Sequence, residues 1–148
     1  MDTSIAYMRM MDRLSTKARS ALMSRVKQAN TAPELRVRRL LHRNGLRFRL
    51  HRRDMPGTPD IVLPSRRTAI FVHGCFWHRH QGCPRASTPT TNPERWRLKF
   101  ERNVTRDGEA CTALHELGWT VLIVWECELK NEAELEKRLR DRLGLADS

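Results

Sequence analysis

No apolar run in this 148-residue chain approaches the roughly 20 residues needed to span a bilayer. The opening stretch, MDTSIAYMRMMDR, holds no hydrophobic signal core. Neither membrane insertion nor export is therefore expected, and the chain is expected in the cytoplasm. No internal repeat is found, and the length suits one domain with a real core. Acidic residues are short: 17 Asp and Glu face 28 Lys and Arg, giving a formal net charge of +11. Such an excess favours a polyanionic partner, and nucleic acid is the default. Cysteine is sparse, with four residues. In a reducing compartment these suggest metal binding more than disulfides.

What is present is arranged around residues 60–83. Asp60 opens a short apolar run, Ile61-Val62-Leu63, and a second run follows at Ala69-Ile70-Phe71-Val72. Then comes His73-Gly-Cys75-Phe76-Trp77-His78-Arg79-His80, closed by Cys83. Three imidazoles, two thiols and two large aromatics fall within eleven residues. An ordinary core has no use for so many metal-competent groups side by side.

Residues 1–15 read as a flexible tail and 16–148 as a single domain. Residues 17–28 suit a first helix, carrying Arg19 and Arg25. Thr31-Ala-Pro-Glu34 reads as a capping box, with Leu35, Val37, Leu40 and Leu41 as an apolar face and Gly45 as the stop. The alternation LRFRLH suits a strand over 46–51 with Leu46, Phe48 and Leu50 inward. Met55-Pro-Gly-Thr-Pro59 is a turn, and strands follow at 60–63 and 68–72. Asn92-Pro93 starts a long helix, Asn as cap and Pro in the first turn, with a break expected at Gly108 and a stop at Gly118. WTVLIVW, residues 119–125, is the most apolar strand and is expected to be central, with both tryptophans in the core. Asn131 opens a last helix with Leu135, Leu139 and Leu143. The order predicts an α/β mixed sheet flanked by helices.

The chemistry divides in three. Cys75, His80 and Cys83 are close enough to wrap one ion, with Cys127 as the fourth ligand of a closed, structural zinc site and Cys111 its rival. If the two short strands pair, Asp60 lies near Val72 and His73, where a carboxylate can bind Mg²⁺. His73 and His78 remain, and either can serve as a general base. The plainer alternative is an Asp60 that caps a turn and histidines bonded to backbone. Phe76, Trp77 and Trp96, beside Arg95 and Arg97, suit stacking on or wedging between bases.

Four segments carry a resemblance: PGTPD at 56–60, FVHGCFWHRH at 71–80, NVTRD at 103–107 and ELGWTVLIVWEC at 116–127. Together they resemble the very-short-patch-repair (Vsr) DNA mismatch endonucleases, over residues 17–143. The resemblance implies a restriction-endonuclease-like fold with a structural zinc. It implies Mg²⁺-dependent nicking of duplex DNA 5′ to the thymine of a T:G mismatch, the product of 5-methylcytosine deamination. Functional partners would be a cytosine-5 DNA methyltransferase and mismatch-repair proteins, and the enzyme would be a monomer.

By matching position, Asp60 would hold Mg²⁺, with the Val72 main-chain carbonyl as a further ligand. His78 would be the general base, oriented by Asp107, and His73 would help bind or polarise the scissile phosphate through metal-bound water. Cys75, His80, Cys83 and Cys127 would hold zinc. Phe76, Trp77 and Trp96 would intercalate from the major groove and Met23 from the minor groove. Glu34 falls where the family has an acidic residue near the active site. Val72 stands where some members have threonine. One residue is inserted between His80 and Cys83, which leaves His78 as a competing zinc ligand. Two other readings fit the same residues: a relaxed nuclease of a restriction–modification system, and a non-catalytic zinc-stabilised DNA-binding module.

Overall fold

A computed structural model of the protein describes residues 30–145. Its first helix, α1 (Ala32–Arg43), starts where Thr31 Oγ1 accepts the Glu34 amide at 3.3 Å, with Pro33 in the first turn. The expected capping box is only half made, because the Glu34 side chain turns to Arg38 and His51 instead. The helix ends at Gly45, which takes φ +75°. There the Leu46 amide reaches back to the Leu41 carbonyl at 3.1 Å. That closing bond explains why Leu46 is buried: it covers the helix end.

The strand expected over 46–51 shrinks to β1 (Arg49–Leu50). Leu46 is taken by the helix cap, and His51 at φ +46° turns the chain away. Phe48 still packs on the core, but Leu50 faces out at 38 % exposure. The turn at 52–59 leads into β2 (Ile61–Leu63). Gly57 is needed in that turn, because a Cβ there would lie 2.5 Å from the Ala110 Cβ. After a 3₁₀ turn, β3 (Thr68–His73) pairs antiparallel with β2 and parallel with β4 (Thr120–Trp125).

Between these parallel strands runs α2 (Pro93–Glu116), the crossover that parallel pairing requires. The break expected at Gly108 does not occur. One exposed-face glycine weakens a helix by about 1 kcal/mol, too little to interrupt 24 residues packed on a sheet. Asn92 precedes Pro93 but makes no side-chain cap bond. At the other end Gly118 stops the helix as expected. The last helix, α3 (Glu132–Leu143), opens with Asn131 accepting the Glu134 amide at 3.2 Å.

The sheet order is β1-β2-β3-β4, so β3 is interior and β4 lies at an edge among the described residues. The strand expected to be central is therefore peripheral. Its apolar character has another cause, because helices cover both of its faces. Leu122 and Val124 join the core formed with α1 and α3 by Val37, Leu41, Ile70, Leu135 and Leu139. Val121 and Ile123 turn to the opposite core, where Ala110 and Leu114 of α2 meet Phe71. Truncating a core leucine such as Leu135 would cost about 2–5 kcal/mol. Trp119 and Trp125 are only half-buried: Trp119 packs against the core of Ala110 and Leu114 as expected, whereas Trp125 turns to the histidines instead. Arg67 covers the Trp119 ring at 5.1 Å. Among the described residues no helix is long and apolar enough to cross a membrane. Met23, the helix expected over 17–28 and the tail of residues 1–15 lie outside the described residues.

Candidate active site and metal centre

The parallel pairing sets His73 opposite Trp125, so both strands end at the same level. Cys75 and Cys127 each lie two residues beyond. The loop from 74 to 83 then folds on itself: the His80 amide donates to the Cys75 carbonyl at 3.0 Å, and the Cys83 amide to His80 at 3.2 Å. Glu126 Oε1 accepts the Cys75 amide at 3.1 Å and ties the loop to the end of β4. Donor atoms of Cys75, His80, Cys83 and Cys127 come within 4.8 Å of one another. His80 Nδ1 lies 3.4 Å from Cys127 Sγ. Nitrogen and sulfur on one tetrahedral zinc are separated by about 3.6 Å, so the set fits that ion. Cys111 is not in the group; it sits half-buried on α2. Without a cation, burial pushes the Cys75 and Cys127 thiols up.

His78 goes elsewhere. Its Nδ1 lies 2.7 Å from Asp107 Oδ2 of α2. The Asp107 carboxylate holds His78 apart from the thiol group. With Nδ1–H donated to Asp107, the lone pair falls on Nε2. His73 stacks on His78 with ring centroids 3.8 Å apart and planes 5° from parallel. Only 4 % of His73 is exposed, and its Nδ1 has no hydrogen-bond partner among the described residues. Burial, with His78 beside it, lowers the His73 pKa to about 4, so this imidazole is neutral at pH 7. A buried unpaired ring nitrogen is costly unless a ligand completes it.

Asp60 sits just before β2. Its Oδ2 accepts the Val72 amide at 2.8 Å, and its carbonyl accepts the His51 amide at 3.0 Å. The expected approach of Asp60 to Val72 is therefore present. Burial raises the Asp60 pKa to about 6; the Val72 bond opposes this and the charge of Glu34 adds to it. Glu34, 2 % exposed, is held by Arg38 and by His51 Nε2 at 2.9 Å. Donors of Glu34, His51 and Asp60 also lie within 4.8 Å of one another. This oxygen-rich set suits a hard divalent cation.

Phe76 and Trp96, expected to intercalate, are buried in the protein without DNA. They are 1 % and 4 % exposed and pack with Phe100, ring centroids 5.2–5.8 Å apart. Burial inside a shared aromatic cluster is the more stable place for such rings away from DNA. Trp77 stays half-buried, with Lys99 over its face at 5.2 Å. Arg97 pairs with Glu94 and Glu101, while Arg95 is exposed.

A family model described as DNA mismatch endonuclease Vsr matches residues 11–85. The type II nicking enzyme V.XorIIP of Xanthomonas oryzae pv. oryzae is 53 % identical over 134 residues, covering 90 % of this chain and 98 % of that protein. The chain belongs to the Vsr endonuclease family. The DNA mismatch endonuclease Vsr of Escherichia coli is 44 % identical, over 84 % of this chain and 80 % of that one. Among solved structures, the catalytic domain of the homing endonuclease I-Bth0305I aligns with TM-score 0.53 and 22 % identity. It covers 75 % of this chain and 92 % of its own, and shows the fold: an α/β mixed sheet with helices.

Against this Vsr chain, sequence reasoning missed three residues. His51 lay inside a strand pattern and gave no signal of its own. Glu126 precedes Cys127 in the VWEC segment, and that adjacency was a usable clue. Trp125, taken as core, stacks on His80 at 4.2 Å and meets His73 edge-on at 5.2 Å. It forms the wall between the thiol group and the histidine pair.

Proposed function

We propose that this protein nicks duplex DNA 5′ to the thymine of a T:G mismatch by Mg²⁺-dependent phosphodiester hydrolysis. The observation that supports the hydrolysis is the meeting of three groups at the end of β3, and membership of the Vsr family supports the mismatch substrate. Asp60 bonds the Val72 amide, His73 follows with an unpaired ring nitrogen, and His78 is paired to Asp107. A magnesium ion held by Asp60 and the Val72 carbonyl would neutralise charge on the phosphate and the leaving 3′ oxygen. His78 Nε2 takes a proton from the attacking water, and Asp107 fixes the tautomer and stabilises the imidazolium. Neutral His73, with its proton on the unpaired Nδ1, would help bind the scissile phosphate as an N–H donor. The product carries a 5′-phosphate and a 3′-hydroxyl.

Cys75, His80, Cys83 and Cys127 hold a structural zinc: four ligands leave no open position for water. Selectivity follows from unstacking, which is cheaper at a mismatch than at a paired step. Trp77 is the accessible member of the aromatic group, and Phe76 and Trp96 reach DNA only if their cluster opens. Met23 acts from the minor groove. Arg95 supplies a salt-sensitive phosphate contact, with Arg19 and Arg25. Residues 16–148 act as one domain, a cytoplasmic monomer linked functionally to a cytosine-5 methyltransferase and mismatch-repair proteins.

The test is strand cleavage of an end-labelled duplex with a single T:G mismatch, Mg²⁺ and several flanking contexts. A nick on the thymine strand alone, lost with EDTA, is expected. Relatives named type II nicking enzymes favour a second reading, a relaxed nickase of a restriction–modification system. Equal cutting of matched T:A and C:G duplexes would establish it. Binding without cleavage in every context would leave a zinc-stabilised DNA-binding module.

A further inference from the structure

Glu34, His51 and Asp60 come from three different places: the first turn of α1, the residue after β1 and the residue before β2. We propose that His51 is a nitrogen ligand of the same divalent cation as Asp60 and Glu34, and that its imidazole tilts this site towards Mn²⁺ over Mg²⁺. The inference rests on the reading of Asp60 as a cation-binding carboxylate and deepens it.

Spacing is the first support. Two donors about 2.1 Å from one octahedral ion lie about 3 to 4.2 Å apart. His51 Nε2 is 2.9 and 3.1 Å from the two Glu34 oxygens, which meets this spacing, and Asp60 brings a third donor to within 4.8 Å of both. The backbone is the second. His51 takes φ +46°, a left-handed conformation that costs a non-glycine residue about 1 kcal/mol or more. The hydrogen bond that the His51 amide donates to the Asp60 carbonyl at 3.0 Å holds it there and fixes His51 against Asp60. Glu34 is buried and paired with Arg38, whose guanidinium also comes within 3.4 Å of His51 Nε2 and must withdraw from these donors when an ion enters. Donor chemistry is the third. Mg²⁺ prefers all-oxygen shells and keeps several waters, whereas imidazole suits transition ions. The competing account makes His51 a hydrogen-bond partner that positions Glu34 and never meets the ion.

The experiment uses the zinc-replete full chain. Mn²⁺ is titrated by loss of its free-ion EPR signal, and Mg²⁺ by competition. Pulsed EPR reads nitrogen coupling to the bound Mn²⁺. His51→Gln keeps a donor towards Glu34 but removes the imidazole. Its Mn²⁺ binding is expected to weaken at least about tenfold. Mg²⁺ binding should change little, and the nitrogen coupling should disappear. Unchanged Mn²⁺ affinity with coupling retained in His51→Gln would overturn the His51 assignment alone. Absent nitrogen coupling in the unmodified protein would do so without any variant, and failure of that protein to bind Mn²⁺ would also overturn it. Asp60→Asn that binds Mn²⁺ as the parent does would remove the reading of Asp60, and this inference with it.

Discussion

Three groups of metal-competent side chains lie around the end of β3, and the two that flank the His73–His78–Asp107 group are built in opposite ways. The thiol knot draws three of its four donors from nine consecutive residues, Cys75 to Cys83, and adds Cys127 from beyond β4. The carboxylate nest draws Glu34, His51 and Asp60 from three elements. The knot is soft and complete. The nest is mostly oxygen and, with three donors, is short of an octahedral shell. A complete set fixes the chain around it, while an incomplete set leaves positions for water and phosphate. Burial of Asp60 within the nest raises its pKa to about 6.

The largest expected effect falls on the knot. Cys127→Ser should lose bound zinc, read by elemental analysis, and most of its soluble yield. A structural zinc contributes about 10–16 kcal/mol to small metal-dependent folds, as much as a domain's whole stability. Full zinc content in this variant would break the comparison, because the knot would then be held by Cys111 or His78.

A catalytic loss comes next. His78→Ala should lower nicking of a T:G duplex by about 10² to 10⁴-fold while gel-shift affinity for that duplex is kept. Near-normal nicking would remove His78 as the base.

Asp60→Asn should sharpen the contrast in stability. The folded pKa is raised from 3.8 to about 6, so the fold favours the protonated form. Stability from this group is complete below about pH 4 and is lost as pH rises to about 6. Above that the carboxylate is a constant cost. Without added divalent cation beyond zinc, Asp60→Asn should exceed the parent by up to about 3 kcal/mol at pH 8, with the gap closing below pH 4. Equal urea midpoints at pH 8 would place no stored cost at Asp60.

The smallest change tests the turn that carries the nest. Gly57→Ala should destabilise by about 1–3 kcal/mol, since its Cβ meets Ala110 and φ +73° strains any side chain. An unchanged melting temperature would separate the turn from α2.

Many local signals were legible, although the Asn92 cap and the Gly108 break were not realised. Thr31 and Asn131 cap the helices that their sequences announce, and Leu135, Leu139 and Leu143 form the buried face their spacing requires. The Asp60–Val72 approach also followed from two short strands joined by a four-residue turn. The reading went wrong where an alternation or an apolar run had a second cause. Leu46 is buried as a helix cap, not as a strand residue. WTVLIVW is apolar because helices cover both faces of an edge strand. Trp125 is half-exposed because it walls the histidines.

The sequence by itself determined the donor chemistry, the basic charge and the helix limits. Those are properties of single residues and of neighbours a few positions apart. The tertiary structure alone decided which donors share a centre. Strand register brings Cys127 to Cys75 and packs α2 so that Asp107 takes His78 from the knot. The turns around β1 and β2 carry His51 and Asp60 to Glu34. Pairings over such separations depend on how strands and helices pack, and no local pattern encodes them.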